Sequence, residues 1–248
     1  MNVFVNIVVA VLAVVLGYLL GSIPTGVVIG RVFFHKDPRD YGSHNSGGTN
    51  TGRVLGKKIG LLVIVLDALK AAIALYTVWA IVTFSGIHQY MFWEVGYYAA
   101  PLYYWLAGLS AAIGHCFSIF LKFKGGKAVA CDVGLVVTVS WLELLVGILS
   151  FFIPLKLTKH VSLSSIILSV LVAITMWILA IVRVTTDFNT QLFTWGFAST
   201  ATATFALPIL GFEAAAVLTI MAAVIIIRHA ANIQRLKNGT ESKITWMK

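Results

Sequence analysis

The chain has 248 residues, the length of one ordinary soluble domain, but 59% of them are hydrophobic and only 11% are charged. A soluble fold of this size cannot hide so much apolar surface, so the composition excludes a soluble protein and predicts an integral membrane protein. The formal net charge of +9 favours an anionic membrane surface or anionic ligands over a nucleic-acid groove. The two cysteines, Cys116 and Cys131, lie in or beside apolar runs and give neither a disulfide framework nor a metal-ligand pattern.

Apolar runs long enough to cross a bilayer follow one another along the whole chain. A hydrocarbon core of about 30 Å requires roughly 20 apolar residues in a helix, and an open sheet edge cannot be satisfied in lipid. The candidate spans are 3–30, 59–84, 97–121, 128–153, 163–182, 191–208 and 209–227. Residues 1–248 are therefore predicted to form one all-α, polytopic domain with about seven transmembrane helices. Six helices are the alternative, because only the turn-like segment from Pro208 to Gly211 separates the last two short spans.

The distribution of lysine and arginine predicts the orientation of these helices. If the N-terminus is outside, 15 of the 18 basic residues fall in inside segments. The inside segments are 31–58, 122–127, the segment with Arg183, and 228–248. Only Lys156 and Lys159 fall outside, and Lys70 falls within a span. The sequence therefore predicts an external N-terminus and a cytoplasmic C-terminus.

The first segment that interrupts the apolar pattern is GSHNSGGTNTGR at 42–53, followed by Gly56-Lys57-Lys58. Its glycines leave backbone N–H groups unshielded, so they can form a concave nest for an anion. Arg53 offers a two-pronged donor for phosphate or carboxylate. Neutral side-chain donors come from Ser43, Asn45, Thr49 and Asn50. A flexible, solvated loop is the alternative interpretation of this segment.

The second polar segment is KFKGGK at 122–127, between two apolar runs. Gly125 and Gly126 allow the main chain to approach a ligand closely, and Lys124 and Lys127 flank them. The following helix N-terminus adds a partial positive charge. His115 precedes this segment by a few residues and is a second candidate for chemistry. A positive-inside anchor with extended lysines is the alternative.

The third polar segment is RHAANIQRLKNGTE at 228–241. His229, Asn232 and Arg235 follow at intervals of three and therefore share one helical face. A basic stop-transfer tail gives the same pattern. All three segments fall on the predicted cytoplasmic face, and together they favour a phosphorylated or otherwise anionic ligand.

Ionisable and polar residues inside the spans allow a different interpretation. Asp67 and Lys70 lie three apart on one helix face and predict either a charge-neutralising pair that pins two helices or a transporter coupling site. A small polytopic transporter or flippase for an anionic solute is therefore the alternative to an enzyme. Ser162 and Ser165 begin a span on the predicted outer side, where they fit ordinary helix caps.

Several motifs in one order along the chain resemble the bacterial acyl-phosphate:glycerol-3-phosphate acyltransferases, the PlsY family. They are Gly21-Ser22-Ile23-Pro24-Thr25-Gly26, the run from Gly42 to Lys58, Asp67 with Lys70, Gly114-His115, 120–127, 161–166, and His229 through Glu241. The resemblance implies a seven-helix enzyme of the bacterial plasma membrane whose active site faces the cytoplasm. It implies that acyl phosphate donates its acyl group to the 1-hydroxyl of sn-glycerol 3-phosphate, giving lysophosphatidic acid and phosphate without a metal or other cofactor.

The resemblance also implies roles for individual residues. Those expected to act in catalysis are His115, Lys127, His229 and Asn232. Those expected to bind substrate or phosphate are Ser43, Asn45, Thr49, Asn50, Arg53, Lys124, Gly125, Gly126, Ser165, Arg235 and Glu241. Two proton acceptors stay open: the phosphate of the donor itself, or a histidine.

The chain departs from the family pattern at several positions. Glycine is usual where this chain has His44, Lys122 and Ala128, and proline is usual at Ser118. Threonine is usual at Cys131, arginine at Ala230, and alanine at Gly48. None of these departures removes a side chain with an implied direct role.

Overall fold

The structure is a computed structural model that describes residues 3–91, 100–186, 193 and 211–244. In these ranges the regular elements are helices, with short 3₁₀ turns at Pro38–Asp40, Ile87–Tyr90 and Ile119–Leu121. The α-helices are α1 (Val3–Ser22), α2 (Thr25–Phe34), α3 (Gly48–Leu55), α4 (Lys57–Phe84), α5 (Ala100–Cys116), α6 (Val129–Val139), α7 (Trp141–Thr158), α8 (Val161–Thr185), α9 (Phe212–Arg228) and α10 (Ala230–Lys237).

Five helical segments in the described ranges are long and apolar enough to cross a membrane. They are Val3–Phe34, Lys57–Phe84, Leu102–Leu121, Trp141–Thr158 and Val161–Thr185, and α9 with α10 makes a sixth if that pair, bent by 58°, is one span. The predicted class, an all-α polytopic membrane protein, is confirmed. The count of seven helices and the orientation of the termini stay predictions.

The chain divides into two compact units, residues 1–135 and 136–248. The prediction of a single domain over 1–248 stays a prediction. In the first unit, α1 packs closely on α5 because small residues face each other. A side chain at Gly21, for example, would collide with the backbone carbonyl of Ala111. Such small-residue contacts let membrane helices approach where the hydrophobic effect gives no attraction.

Five non-glycine residues in the first unit adopt the left-handed backbone conformation that favours glycine. They are His35 (φ 53°), His44 (φ 56°), Lys122 (φ 52°), Phe123 (φ 62°) and Ala128 (φ 63°). Three of them, His44, Lys122 and Ala128, are positions at which the motif resemblance implies glycine. At these positions the chain carries the steric cost of a Cβ atom in the left-handed conformation, roughly 1–2 kcal/mol per residue.

We expect Ala128→Gly to raise the free energy of unfolding by about 1 kcal/mol. Glycine removes the left-handed strain, but its greater backbone entropy in the unfolded chain offsets part of that gain. The measurement is thermal unfolding in detergent. Ala223→Gly is the matched control: Ala223 is an exposed residue inside α9, where glycine lowers helix stability by about 1 kcal/mol. Equal destabilisation by both changes would contradict the expectation.

The continuous span predicted at 128–153 is wrong, because two helices, α6 and α7, occupy it. Ser140 between them is extended (φ −150°, ψ 131°) and its hydroxyl accepts a hydrogen bond from the backbone N–H of Glu143. A serine in this position caps the start of a helix. The predicted span at 191–208 lies outside the described residues, apart from Phe193.

In the second unit, the turn between α7 and α8 lies beside the C-terminal segment. The backbone N–H of Ile244 donates to the carbonyl of Lys159 at 2.9 Å, and the Ser162 hydroxyl donates to the Glu241 carboxylate at 2.7 Å. The prediction that Lys156 and Lys159 lie opposite the C-terminus is therefore wrong.

The predicted side of Arg183 is wrong as well. Arg183 lies near the far end of the 25-residue α8, about 30 Å from Ser162 at 1.5 Å per residue. It is thus at the end of the unit away from the C-terminal segment.

Candidate active site

Asn50 holds the first polar segment of unit 1 in one conformation. Its side chain is 1% exposed, and its amide nitrogen donates to the carbonyls of Pro38 (2.7 Å), Asn45 (2.9 Å) and Tyr41 (3.1 Å). Its amide oxygen accepts from the backbone N–H of Ser43 at 2.7 Å. Asn50 is thus occupied within the loop, and it shapes the segment that presents the other candidates.

The remaining candidates of this segment are placed differently. The Asn45 side chain accepts from the backbone N–H of Gly47 at 2.8 Å and also stabilises the loop. Ser43, Thr49 and Arg53 are exposed. Arg53 lies in the last turn of α3. These three are therefore accessible for an anion.

His44 replaces the usual glycine without opening the loop. Its ring Nδ1 lies 2.9 Å from the carbonyl of Arg39, so it donates a hydrogen bond there. Arg39 in turn pairs with Asp37 at 2.7 Å. The side-chain hydrogen bond from Arg39 lowers the pKa of Asp37 to about 2, despite the opposing effect of burial. The Asp37 carboxylate is therefore ionised at neutral pH, and it holds Arg39, whose carbonyl binds His44.

A buried polar network links α4 to the end of α5. The Lys70 ammonium contacts the Asp67 carboxylate at 2.7 Å, and Thr25 donates to that carboxylate at 2.9 Å. The same ammonium lies 2.9 Å from Nδ1 of His115 and 2.9 Å from the carbonyl of Ile23. The ion pair predicted from the spacing of Asp67 and Lys70 is confirmed. Its connection to His115 was not predicted.

The two glycines of the second polar segment close onto His115. The backbone N–H of Gly126 donates to the His115 carbonyl at 2.9 Å, and that of Gly125 donates to the Cys116 carbonyl at 3.0 Å. Both glycines are buried, Lys124 is exposed and Lys127 is half-buried. The structure thus brings His115, Gly125 and Gly126 together, directly before the N-terminus of α6.

A small polar pocket lies beside this network in unit 1. Its polar lining comes from Ser22, Thr25, Ser46, Asp67, His115 and Ser118. The Ser22 hydroxyl is buried and has no hydrogen-bond partner among the described residues. Because Ser46 belongs to the first segment and His115 adjoins the second, both segments border one polar space.

In unit 2, Glu241 gathers three donors from α8 and α10. One carboxylate oxygen accepts from Ser162 and Asn232, each at 2.7 Å, and the other accepts from Arg235 at 2.7 Å. Burial alone would raise the pKa of Glu241, but the hydrogen bonds from Asn232, Ser162 and Arg235 outweigh it and lower that pKa. The carboxylate is therefore ionised and holds Asn232 and Arg235 in place.

The other two candidates of unit 2 are buried and bonded to helix carbonyls. The Ser165 hydroxyl donates to the carbonyl of Val161 at 2.9 Å. Nδ1 of His229 lies 2.8 Å from the carbonyl of Ile225, so Nδ1 carries the proton. Ser162, which the sequence suggested was an ordinary cap, is the serine that contacts Glu241.

We expect the segment 229–244 to loosen as the pH falls below about 4.5, the ordinary pKa of Glu241. Because the folded-state pKa is depressed, the stabilisation is complete above the ordinary pKa and is lost as the pH falls through the folded pKa. Hydrogen exchange of 229–244 between pH 8 and pH 3 measures this. In Glu241→Gln the segment should exchange faster at neutral pH and lose this dependence; an unchanged profile would contradict the assignment.

Within the described ranges, no three His, Cys, Asp or Glu side chains form a group that could hold a metal ion. The expectation that the reaction needs no metal stays a prediction.

Comparison with known proteins identifies the family. Residues 11–239 match the sequence model of the glycerol-3-phosphate acyltransferase family. Proteins named glycerol-3-phosphate acyltransferase are similar: one from Enterococcus faecalis is 37% identical over 95% of this chain and 92% of its own. Another from Macrococcus caseolyticus is 36% identical over 96% and 98%.

Solved structures agree with the sequence comparison. The chain is similar to the crystal structure of PlsY (YgiH), an integral membrane glycerol 3-phosphate acyltransferase. For its glycerol 3-phosphate form the TM-score is 0.72 and the identity 28%, over 95% of this chain and 96% of that one. For its lysophosphatidic acid form the TM-score is 0.70 and the identity 27%, over 95% of both chains. With its polar motifs set on a helical membrane scaffold, this chain belongs to the glycerol-3-phosphate acyltransferase family.

Proposed function

We propose that this protein transfers a fatty acyl group from an acyl phosphate to the 1-hydroxyl of sn-glycerol 3-phosphate, the first step of phospholipid synthesis. The observation that carries the proposal is the similarity to one enzyme in both a glycerol 3-phosphate form and a lysophosphatidic acid form. Those two molecules differ by one acyl group, so they fit the acceptor and the product of this transfer. The motif resemblance supports acyl phosphate as the donor.

Cationic groups in unit 1 are suited to phosphorylated substrates. Lys124, Lys127 and Arg53 supply charge, and the Gly125–Gly126 main chain allows close approach beside the α6 N-terminus. In unit 2, Glu241 orients Asn232 and Arg235. We assign these three cations to phosphate binding and Asn50 and Glu241 to positioning.

The reaction needs alignment and charge stabilisation more than a protein nucleophile. The glycerol oxygen forms a bond to the acyl carbon, and the bond between that carbon and the phosphate oxygen breaks. Inorganic phosphate leaves and carries away the proton of the hydroxyl. Cations around the leaving phosphate stabilise the charge that develops on it.

The histidines differ in their ability to act as the base. Nδ1 of His115 faces the Lys70 ammonium, which has no lone pair, so Nδ1 accepts and the proton of the neutral ring is on Nε2. In His229 the proton is on Nδ1, which leaves the basic lone pair on Nε2. The donor phosphate is therefore our preferred proton acceptor, and His229 is the rival.

We expect His229→Gln to lower kcat less than 10-fold and to leave the pH dependence of kcat unchanged, because the substrate takes the proton. A general base contributes about 10²–10⁴-fold. A loss in that range, together with the disappearance of one ionisation from the pH dependence of kcat, would instead assign the base to His229.

We also propose that this is a multi-pass protein of the bacterial plasma membrane and that its active site faces the cytoplasm. In unit 2, Lys156, Lys159, Arg228, Arg235 and Lys237 lie toward the end that holds the C-terminal segment. The positive-inside rule places such an end in the cytoplasm, where a phosphorylated substrate is available.

The donor is tested with labelled sn-glycerol 3-phosphate offered together with palmitoyl phosphate, palmitoyl-CoA or palmitoyl-acyl carrier protein. We expect labelled lysophosphatidic acid with palmitoyl phosphate alone. Equal formation with palmitoyl-CoA would overturn the assigned donor and retain the acyltransferase. Absence of product with every donor, from folded protein in detergent, would favour a transporter.

A further inference from the structure

The Lys70 ammonium is saturated with partners. It is 7% exposed, and an ammonium has three N–H groups and no acceptor. Its three neighbours are the Asp67 carboxylate, the Ile23 carbonyl and Nδ1 of His115, at 2.7, 2.9 and 2.9 Å. Lys70 therefore has no donor left for a substrate phosphate.

These contacts fix the His115 ring in both position and tautomer. With Nδ1 held by Lys70, Nε2 points at Gly126. A Cβ atom at Gly126 would collide with Nε2 and would lie 2.9 Å from both neighbouring ring carbons. It would thus lie beyond the Nε2 edge of the ring, so the ring and the Gly126 main chain are in direct contact.

The backbone of His115 also contacts the turn formed by Gly125 and Gly126. The Gly126 N–H donates to the His115 carbonyl, so the main chain of residue 126 is held from two sides. These two contacts fix the position of the Gly125–Gly126 peptide, which directly precedes Lys127 in the chain.

We propose that Lys70 is a positioning residue for acyl transfer: it locks the His115 ring against Gly126 and so sets the phosphate-binding main chain between Lys124 and Lys127. Asp67 acts one step further away by holding the ammonium, and Thr25 acts through its hydrogen bond to the Asp67 carboxylate. This inference rests on the proposed function, since it assigns the Gly125–Gly126 turn to a phosphate.

A simpler role for Lys70 is the neutralisation of the buried Asp67 charge. The two roles differ in the double variant Asp67→Asn/Lys70→Met, which removes both charges and leaves no buried ion without a partner. A neutralising role predicts kcat near that of the unaltered protein. A positioning role predicts a loss of about 100-fold, as expected for a displacement near 1 Å at the site.

The experiment measures kcat, both KM values and the thermal midpoint for Asp67→Asn, Asp67→Asn/Lys70→Met, His115→Ala and His115→Gln. Asp67→Asn keeps an oxygen acceptor for Lys70 and should lose much less kcat than the double variant. Glutamine at 115 also offers an oxygen to Lys70, so it should recover at least part of the kcat lost with alanine. The KM for glycerol 3-phosphate should change less than kcat.

A folded double variant whose kcat lies within about threefold of that of the unaltered protein would overturn the proposal. If the double variant does not fold, His115→Ala decides, because it leaves the ion pair intact: kcat retained there would overturn the proposal as well. The unaltered protein is assayed alongside with each acyl donor. Its inactivity with palmitoyl phosphate refutes the donor, while variant ratios with the active donor still test the inference.

Discussion

Gly126→Ala is expected to lower kcat by about 100-fold while the protein stays folded. The added methyl group would occupy the space of the His115 ring. The ring cannot retreat, because Nδ1 is held by Lys70 and Lys70 is itself held by Asp67 and Ile23. The glycine turn must therefore move outward, and the main chain that faces the phosphate moves with it.

Gly147→Ala is the matched control for this change. Gly147 lies in α7, and a methyl group there would meet only Val172, at an ordinary 3.9 Å. It should leave kcat unchanged. In the His115→Ala background the collision disappears, so Gly126→Ala should cost little further activity, a coupling that a double-mutant cycle measures. Full activity of the Gly126→Ala single variant would contradict the packing described for the turn.

The second large effect is expected from Asn232→Asp. The change keeps the shape of the side chain but replaces an N–H donor with a carboxylate, 2.7 Å from the carboxylate of Glu241. A charged hydrogen bond is lost, about 1.5–3 kcal/mol, and two like charges are brought together, which adds about 1–4 kcal/mol. We expect kcat to fall by on the order of 100-fold at neutral pH.

The Asn232→Asp variant also has a pH signature. Two adjacent carboxylates raise one of their pKa values, so acidification lets them share a proton and should recover part of the activity relative to the unaltered protein. Asn238→Asp is the control, because Asn238 is exposed at the end of α10. Equal losses for both variants would show that the negative charge matters in itself, rather than its contact with Glu241.

Hydropathy predicted the helices well where one apolar run forms one helix. α4 and α8 begin within two residues of the predicted spans at 59–84 and 163–182. It failed at 128–153, because Ser140 ends one helix and caps the next within an otherwise apolar run. A single hydroxyl group hardly changes average hydropathy, although it supplies the hydrogen bond that starts α7.

The candidate site shows the same division between local and long-range information. Asn45 and Asn50 stabilise a loop within their own segment, and Gly126 meets His115 at a separation of 11 positions, so neighbouring sequence motifs already group these residues. Ser162 and Glu241 are 79 positions apart. The spacing of residues along a helix does not show which helix-connecting segments contact each other. Ser162 and Glu241 were therefore predicted from the sequence to lie on opposite sides of the membrane.

The central claim is tested most directly by phosphate release from the detergent-purified protein given palmitoyl phosphate, with and without sn-glycerol 3-phosphate. We predict release that requires both substrates, with lysophosphatidic acid formed in equal amount. Folded protein that releases no phosphate, or releases it equally without sn-glycerol 3-phosphate, would contradict the assignment as an acyl phosphate-dependent acyltransferase.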